Sequence, residues 1–345
     1  MLSPRVRILS TLSSLAKRGT CFFSGRCTIL CVAALFLSGL PHEAEPAAKE
    51  PSRPRILAIA GVTISVSDTP GARGFYEKIV DPEHSCDFCQ KAPSRIFVLP
   101  TGQQIELEQA SLPLPSSLLA ELSFRIDDLE KLRKFLRRNQ IAFEEQKSDG
   151  TGYGTVRLVV HDPEGHRISF ATEPGIVEPS IKDVQNPQPN RAARGQIDAR
   201  VASRRMIHAG FVVRDRAAME HFYKDTLGFK PYWHGGMKDD QTDWVSLQVP
   251  DGTDWVEFMV NVAPNADKHT LGVMNHIALG VLDIHAAQKQ LLTNGMKLSE
   301  EPKIGRDGKW QLNLYDPDDT RVELMEFIPV EKPCCSEYTG PHPKP

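Results

Sequence analysis

Two histidines and two glutamates recur at matched distances in the second half of the chain. His208 lies 49 residues before Glu257, and His276 lies 47 residues before Glu323. Each stands among residues that alternate between apolar and polar, so each is expected to project from a β-strand, opposite the apolar face of that strand. Two imidazoles and two carboxylates suit a divalent ion such as Zn²⁺, Ni²⁺, Co²⁺, Mn²⁺ or Fe²⁺. Because two buried carboxylates are costly without a cation, these four residues predict a metal site.

The segments that carry the two histidines are similar to each other. Met206–Asp215 and Met274–Asp283 each place a histidine seven residues before an aspartate that can cap a helix. Helices are predicted over Ala217–Leu227 and Ile284–Asn294, each followed by a glycine. Several short apolar runs follow each helix, so the unit is a βαβββ module. If two modules pack about a pseudo-twofold axis, one His and one Glu from each meet there.

Internal repeats divide the whole chain in the same way. Asp162–Phe170 reappears as Asp316–Leu324, and Asp128–Leu136 parallels Asp283–Leu291. The predicted fold is therefore α+β, with four βαβββ modules in two domains, at residues 55–175 and 203–330. Residues 176–202 are predicted to be a linker and residues 331–345 a flexible tail.

Four motifs resemble the vicinal oxygen chelate superfamily, which includes glyoxalase I, bleomycin resistance proteins and extradiol dioxygenases. They are IHAGFVVRD (207–215), WVEFMVN (255–261), MNHIALGVLD (274–283) and LYDPDDTRVEL (314–324). The resemblance covers residues 55–330 and implies two domains of this fold, the second of which binds the metal.

The first copy departs from the pattern of the metal site. Three of the four equivalent positions hold a residue of a different type, namely Gly61, Glu121 and Ser169, and only Glu106 matches its counterpart, Glu257. The first copy is therefore expected to bind no metal and to act as a structural or substrate-shielding domain.

The resemblance leaves three chemistries open. The first choice is a glyoxalase-like lyase or isomerase, in which the metal stabilises an enediolate and the ligand Glu323 or Glu257 moves the proton as general base. The alternative is an extradiol-type Fe(II) dioxygenase.

The dioxygenase would use His208, His276 and Glu323 as its ligands, with His269 and Tyr315 as the nearest candidates for supporting groups. The third choice is a small-molecule binding or resistance protein without turnover. Aromatic residues of a loop over 231–236, Trp233 among them, would hold its ligand.

The start of the chain resembles a targeting segment. Residues 1–42 contain no Asp or Glu, and a short apolar run covers Ile29–Leu40. This pattern predicts a signal peptide with its linker over residues 1–54 and a secreted or periplasmic protein; organelle targeting or an uncleaved anchor are the alternatives. In an oxidising compartment, Cys86 and Cys89 are expected to form a local disulfide.

Composition restricts the partners. The chain has 41 Lys and Arg residues against 44 Asp and Glu, a formal charge of −3, which excludes the strongly basic surface typical of nucleic-acid binding. Its 40% of hydrophobic residues is typical of a globular protein and argues against disorder of the whole chain. We expect a small-molecule substrate, no nucleic acid, and membrane contact only if the leader stays uncleaved; a homodimer is left open.

Overall fold

The computed structural model describes residues 52–80, 95–147, 156–172 and 201–345. Residues from Glu50 to Pro345 form one compact unit. Residues 1–51 of the predicted leader, Cys86 and Cys89, and nearly all of the predicted linker lie outside the described residues. No helix within the described ranges is both long and apolar enough to cross a membrane.

The first copy forms a mixed β-sheet of seven described strands. Their order across the sheet is β2-β3-β1-β4-β7-β6-β5. The strands are β1 (Ile56–Val66), β2 (Arg95–Val98), β3 (Gln104–Gln109), β4 (Leu119–Ile126), β5 (Glu144–Lys147), β6 (Val156–His161) and β7 (Arg167–Thr172). The first strands of the two modules, β1 and β4, pair antiparallel at the centre.

The second copy repeats this plan with eight strands. Their order is β13-β14-β15-β12-β8-β11-β10-β9. The strands are β8 (Arg205–Val212), β9 (Lys230–Gly235), β10 (Trp244–Gln248), β11 (Trp255–Met259), β12 (His276–Val281), β13 (Lys303–Ile304), β14 (Trp310–Tyr315) and β15 (Arg321–Glu326). The first strands of its modules, β8 and β12, again pair antiparallel at the centre. The predicted α+β fold with repeated modules is confirmed.

The helices begin at aspartates, as the sequence predicts. They are α1 (Thr69–Tyr76), α2 (Leu129–Arg138), α3 (Arg216–Glu220, continued by a π-helical turn over His221–Thr226), α4 (Lys268–Met274) and α5 (Ile284–Thr293). In each, the side chain of the preceding aspartate accepts a hydrogen bond from a backbone N–H of the first turn. Helix α4, just before β12, is the one that the sequence did not predict.

Reciprocal contacts join the two copies. Tyr76 of α1 donates a hydrogen bond from its hydroxyl to Asp316 of the second copy, and Tyr223 of α3 donates one to Asp162 of the first; both distances are 3.3 Å. Each aspartate belongs to one of the repeated Asp-Pro motifs. The same surface is therefore used on both copies, as in a twofold-symmetric dimer.

A second pair of contacts follows the same symmetry. The Gln103 amide donates to the carbonyl of Met206 at 2.8 Å, and the backbone N–H of Ile59 donates to Asp254 at 3.0 Å. One continuous hydrophobic core contains residues of both sheets. The two copies therefore share one core.

The segment after β15 differs from the prediction of a flexible tail. Thr339 donates its backbone N–H to the carbonyl of Tyr232, and the side chain of Gln248 donates to the carbonyl of Pro341. A disulfide joins the neighbours Cys334 and Cys335. Residues 331–345, called the strap below, lie against the second copy because their aromatic side chains pack on its strands.

Candidate metal centre

The four predicted ligands stand on the four central strands of the second sheet. His208 is on β8, Glu257 on β11, His276 on β12 and Glu323 on β15. The strand register explains why they meet: Gly210 lies opposite both Glu257 and His276. The period-two pattern of the sequence therefore places all four on one side of the sheet.

Gly210 makes room for the site. A Cβ atom at this position would lie 2.1 Å from the Cε1 atom of His276. Only glycine therefore allows the His276 ring to lie across β8. The close approach of the His276 ring therefore explains why position 210, two residues after His208, is a glycine.

A bulge beside His208 differs from the expected alternation. The register of β12 against β8 shifts so that Ile207 has no direct partner. Strict alternation along β8 would place Ile207 on the same face as Ala209 and Phe211, but it packs in a second cluster with Trp255 and Tyr232 instead. The extra residue of the bulge turns Ile207 toward the side of the site.

The donor atoms of the four side chains converge. The Nε2 atoms of His208 and His276 are 3.1 Å apart. An oxygen of Glu323 lies 3.6 Å from His208 Nε2 and 3.9 Å from His276 Nε2. An oxygen of Glu257 lies 4.0 Å and 3.5 Å from the same two atoms.

The separations between each carboxylate and the two imidazoles fit ligands of one ion. Ligands at roughly 2.0–2.2 Å from a metal lie about 3 Å apart at right angles and about 4 Å apart across it. His208, Glu257 and His276 in particular form a compact group with one ligand atom each. The residues present therefore fit a divalent ion.

Burial keeps the imidazoles of His208 and His276 in the neutral form that binds a metal. Both rings are fully buried, and burial lowers the pKa of His208 and of His276 well below the ordinary value. The rings are therefore neutral at pH 7, as metal ligands must be. His276 Nδ1 lies 3.1 Å from the carbonyl of Met274, which favours the tautomer that leaves its Nε2 lone pair free.

The carboxylates differ in their surroundings. The pKa of Glu323 is raised to about 7, first by burial and then by the nearby charges of Glu257 and Asp307. Glu257 is less buried, and it accepts a hydrogen bond of 3.2 Å from the hydroxyl of Ser246. A bound cation would compensate both charges.

A pocket of about 360 Å³ opens beside the two carboxylates. Glu257, Glu323 and Arg321 line it, together with Trp233, Trp244, Trp255 and four methionines. An apolar cavity with a few convergent polar groups is typical of a small-molecule site.

Lys309 lies next to the site and was not predicted from the sequence. Its side chain is fully buried, and its Nζ atom has no hydrogen-bond partner. Three rings surround the amine, with centroids 4.8 Å (Trp255), 5.2 Å (Tyr338) and 5.7 Å (Tyr232) from Nζ. The Trp255 ring also lies against His208, with centroids 4.7 Å apart. Nothing in the sequence around Lys309 shows that the strap, through Tyr338, closes over it.

In the first copy an internal ion pair lies where the metal would be. Thr63 lies opposite Glu106 and Glu121, as Gly210 lies opposite Glu257 and His276, so the predicted equivalences are confirmed by register. Glu121 is buried and pairs with two arginines, Arg157 and Arg167. Gly61 lies opposite Ser123, whose hydroxyl is 2.6 Å from that of Ser169.

The remaining candidates of the dioxygenase and binding hypotheses lie elsewhere. His269 is largely exposed and pairs with Asp319, while Tyr315 donates its hydroxyl to Glu300. Neither lines the pocket described above. Trp233 does line it, but from strand β9 rather than from a loop.

Comparison with known proteins supports the fold and the family. Residues 205–324 match the family model described as the glyoxalase/bleomycin resistance protein/dioxygenase superfamily. This part of the chain belongs to that superfamily. No curated protein sequence matches the chain.

Solved structures of the superfamily fold include ring-cleaving dioxygenases. The 2,3-dioxygenase LapB from Pseudomonas sp. KL28 is similar, with a TM-score of 0.58, 15% identity, and coverage of 85% of this chain and 96% of that one. Homoprotocatechuate 2,3-dioxygenase from Arthrobacter globiformis has a TM-score of 0.56 and 17% identity, with coverage of 79% and 80%. The enzyme from Brevibacterium fuscum has a TM-score of 0.55 and 18% identity, with coverage of 84% for each chain. At these identities the likeness concerns the fold.

Proposed function

We propose that this protein is a metal-dependent enzyme that binds a small substrate through two vicinal oxygens and catalyses proton transfer as a lyase or isomerase. His208, Glu257, His276 and Glu323 would hold the ion. When bound, a divalent ion supplies Lewis acidity, which stabilises an enediolate without a change of oxidation state.

The position of Glu257 is the observation that supports a lyase. A site with two His and one Glu leaves the faces that oxygen chemistry needs, whereas a second carboxylate adds charge and occupies one of them. Glu257 lies as close to the imidazoles as Glu323 does. An octahedral ion with these four protein ligands keeps two open positions, enough for two vicinal oxygens of a substrate but not for dioxygen as well, so a redox-inactive ion is the simplest chemistry for this donor set.

Glu323 is the better candidate for the general base. Burial raises its pKa when no metal is bound, so Glu323 would regain affinity for a proton on leaving the ion. Glu257 is held in place by Ser246, so it is the more suitable permanent ligand. Glu323 would take the proton from the carbon beside one substrate oxygen and return it to the neighbouring carbon, while Trp255 and the strap exclude water.

An extradiol-type Fe(II) dioxygenase is the second candidate, and the structural comparison favours it. The similar dioxygenases are matched over most of their own length, so the likeness includes both copies. In that case His208, His276 and Glu323 would be the three iron ligands, and Glu257 would lie outside the ligand set.

Glu257→Gln and Glu323→Gln separate the two candidates. Metal affinity is measured by titration with Co²⁺, and with Fe²⁺ under nitrogen, and Glu106→Gln in the first copy is the matched control. A four-ligand site predicts that both variants lose at least 100-fold in metal affinity, beyond the ~10–100-fold loss for groups that only support ligands. The Glu106→Gln control should bind normally.

A dioxygenase predicts a different pattern. Glu257→Gln would then retain its iron, and the wild-type protein would consume oxygen with a catechol. Solvent deuterium incorporated into an α-hydroxyketone, without oxygen consumption, would support the lyase. If Glu257→Gln has the metal affinity of the wild type, the proposal of a four-ligand lyase is wrong.

A further inference from the structure

Arg321 stands next to the candidate metal centre and takes no part in holding a metal. It begins strand β15, two residues before Glu323, so both side chains lie on the same face of the sheet. Arg321 lines the same pocket as Glu257 and Glu323.

Within the part of the chain that the structure describes, no carboxylate pairs with the guanidinium of Arg321. Its Nε atom is buried without a hydrogen-bond partner. Two other cations line the pocket, but both are already paired, Lys303 with Glu300 and Arg306 with Asp239. A buried donor without an acceptor is costly, so Arg321 indicates an acceptor supplied from outside.

The first copy shows what such an arginine binds. Arg167 begins strand β7 two residues before Ser169, the counterpart of Glu323, and is therefore the counterpart of Arg321. Arg167 pairs with the buried carboxylate of Glu121, which stands at the position of His276. The second copy has an imidazole at that position. It has the arginine at the equivalent position but no carboxylate where Glu121 stands in the first copy.

We propose that Arg321 is an anion subsite that binds a carboxylate group of the ligand, beside the vicinal oxygens that the metal would hold. A guanidinium binds a carboxylate through two parallel hydrogen bonds, which also fixes the orientation of the ligand. The substrate class is then a hydroxylated or keto carboxylic acid small enough for a pocket of about 360 Å³. Three tryptophans on the wall of that pocket favour a planar body. This inference rests on the proposed function only where it assigns vicinal oxygens to the ligand, because Arg321 would bind the carboxylate without the metal.

Calorimetric titration of the full chain with three probes tests the subsite. The probes are 3,4-dihydroxybenzoate, its methyl ester, which lacks the charge, and benzoate, which lacks the vicinal oxygens. The variants are Arg321→Gln, Arg321→Lys and Arg306→Gln, the last removing a paired cation from the same pocket. Folding of each is checked by Zn²⁺ binding and thermal unfolding.

Arg321→Gln should lower the affinity for 3,4-dihydroxybenzoate and for benzoate by about 10- to 100-fold and leave the affinity for the ester unchanged. Arg321→Lys should have an intermediate effect. Arg306→Gln should have a much smaller effect. The subsite is overturned if benzoate does not bind the wild type, if the ester is weakened equally, or if Arg306→Gln matches Arg321→Gln. Should Arg321→Gln fail to fold, the loss in Arg321→Lys decides the result.

The same titration separates this inference from the proposed function. Benzoate binding to protein treated with a chelator depends on the subsite alone. If benzoate binding depends on Arg321 while Zn²⁺ does not change the affinity for 3,4-dihydroxybenzoate, the subsite is supported and the metal-dependent function is contradicted. If Zn²⁺ strengthens binding of the ester but Arg321→Gln does not change the affinity for benzoate, the subsite is contradicted and the metal site is supported.

Discussion

At the scale of single residues, the amine of Lys309 is the most unusual group near the site. Burial lowers its pKa to about 8, and the charges of Asp307, Glu323 and Glu257 limit that decrease. The surrounding ring faces attract a cation and offset part of the desolvation. Lys309 is therefore expected to destabilise the folded state when charged.

Lys309→Met tests this balance. The unfolded chain binds the proton up to about pH 10.4, whereas the folded chain releases it near pH 8, so wild-type stability should rise with pH between these values. At pH 7 we expect the variant to be more stable than the wild type by about 1–3 kcal/mol, and the difference to shrink above pH 8. Urea unfolding from pH 6.5 to 10 measures it.

Lys303→Met is the matched control, because Lys303 is more than half exposed and pairs with Glu300 at the surface. Its stability difference from the wild type should stay small and nearly constant over the same pH range. A Lys309→Met variant that is less stable than the wild type at every pH would mean that attraction to the three rings exceeds the desolvation.

At the scale of elements, the sequence predicts the strands that carry the ligands and the helices that follow them. Period-two alternation places Val256 and Phe258 in the core and Glu257 opposite, as the structure does. The caps predict where α3 and α5 begin, and Gly228 and Gly295 follow them with positive φ. These features are local, so one strand or one turn is enough to specify them.

The features that the sequence did not predict depend on distant contacts. The bulge at Ile207 exists only because β12 pairs with β8, and it changes the side to which Ile207 points. The strap has the Pro-rich composition of a mobile tail, but Tyr338 and His342 pack on Tyr232. No local pattern in residues 331–345 indicates that contact.

Tyr338 is the residue through which the strap acts. Its hydroxyl donates to the backbone carbonyl of Asp307 at 2.9 Å, and its ring covers Lys309. Tyr338→Ala should lower the free energy of unfolding by about 1–3 kcal/mol, less than for a fully buried aromatic side chain because Tyr338 is partly exposed, and admit water to the Lys309 amine.

Tyr338→Phe keeps the ring and should lose only about 1 kcal/mol. Urea unfolding measures both variants. Limited proteolysis adds a second measurement, because cleavage within residues 331–345 should be faster in Tyr338→Ala alone. Equal cleavage of Tyr338→Ala and the wild type would show that the strap is held by other contacts.

At the scale of the whole molecule, the shared core changes what the two copies can do. As independent domains, residues 203–330 would be expected to keep their metal when expressed alone. Tyr76 and Gln103 of the first copy donate hydrogen bonds to Asp316 and to the carbonyl of Met206 in the second copy, and a second copy expressed alone would lack both. The first copy thus supports the site even though an Arg–Glu–Arg ion pair takes the place of a metal within it.

Metal binding should therefore stabilise both copies together. We expect one divalent ion per chain and a single thermal transition by calorimetry. At a free metal concentration of 100 times Kd the ion adds about 2.7 kcal/mol, which raises Tm by several degrees. His276→Ala should abolish this rise in Tm.

Glu121→Gln breaks the ion pair of the first copy and should lower Tm, because it leaves two arginines without their carboxylate. It should still show the full rise in Tm with metal. Two transitions, of which the ion moves only one, would show instead that the copies unfold independently and that their reciprocal contacts add little to stability.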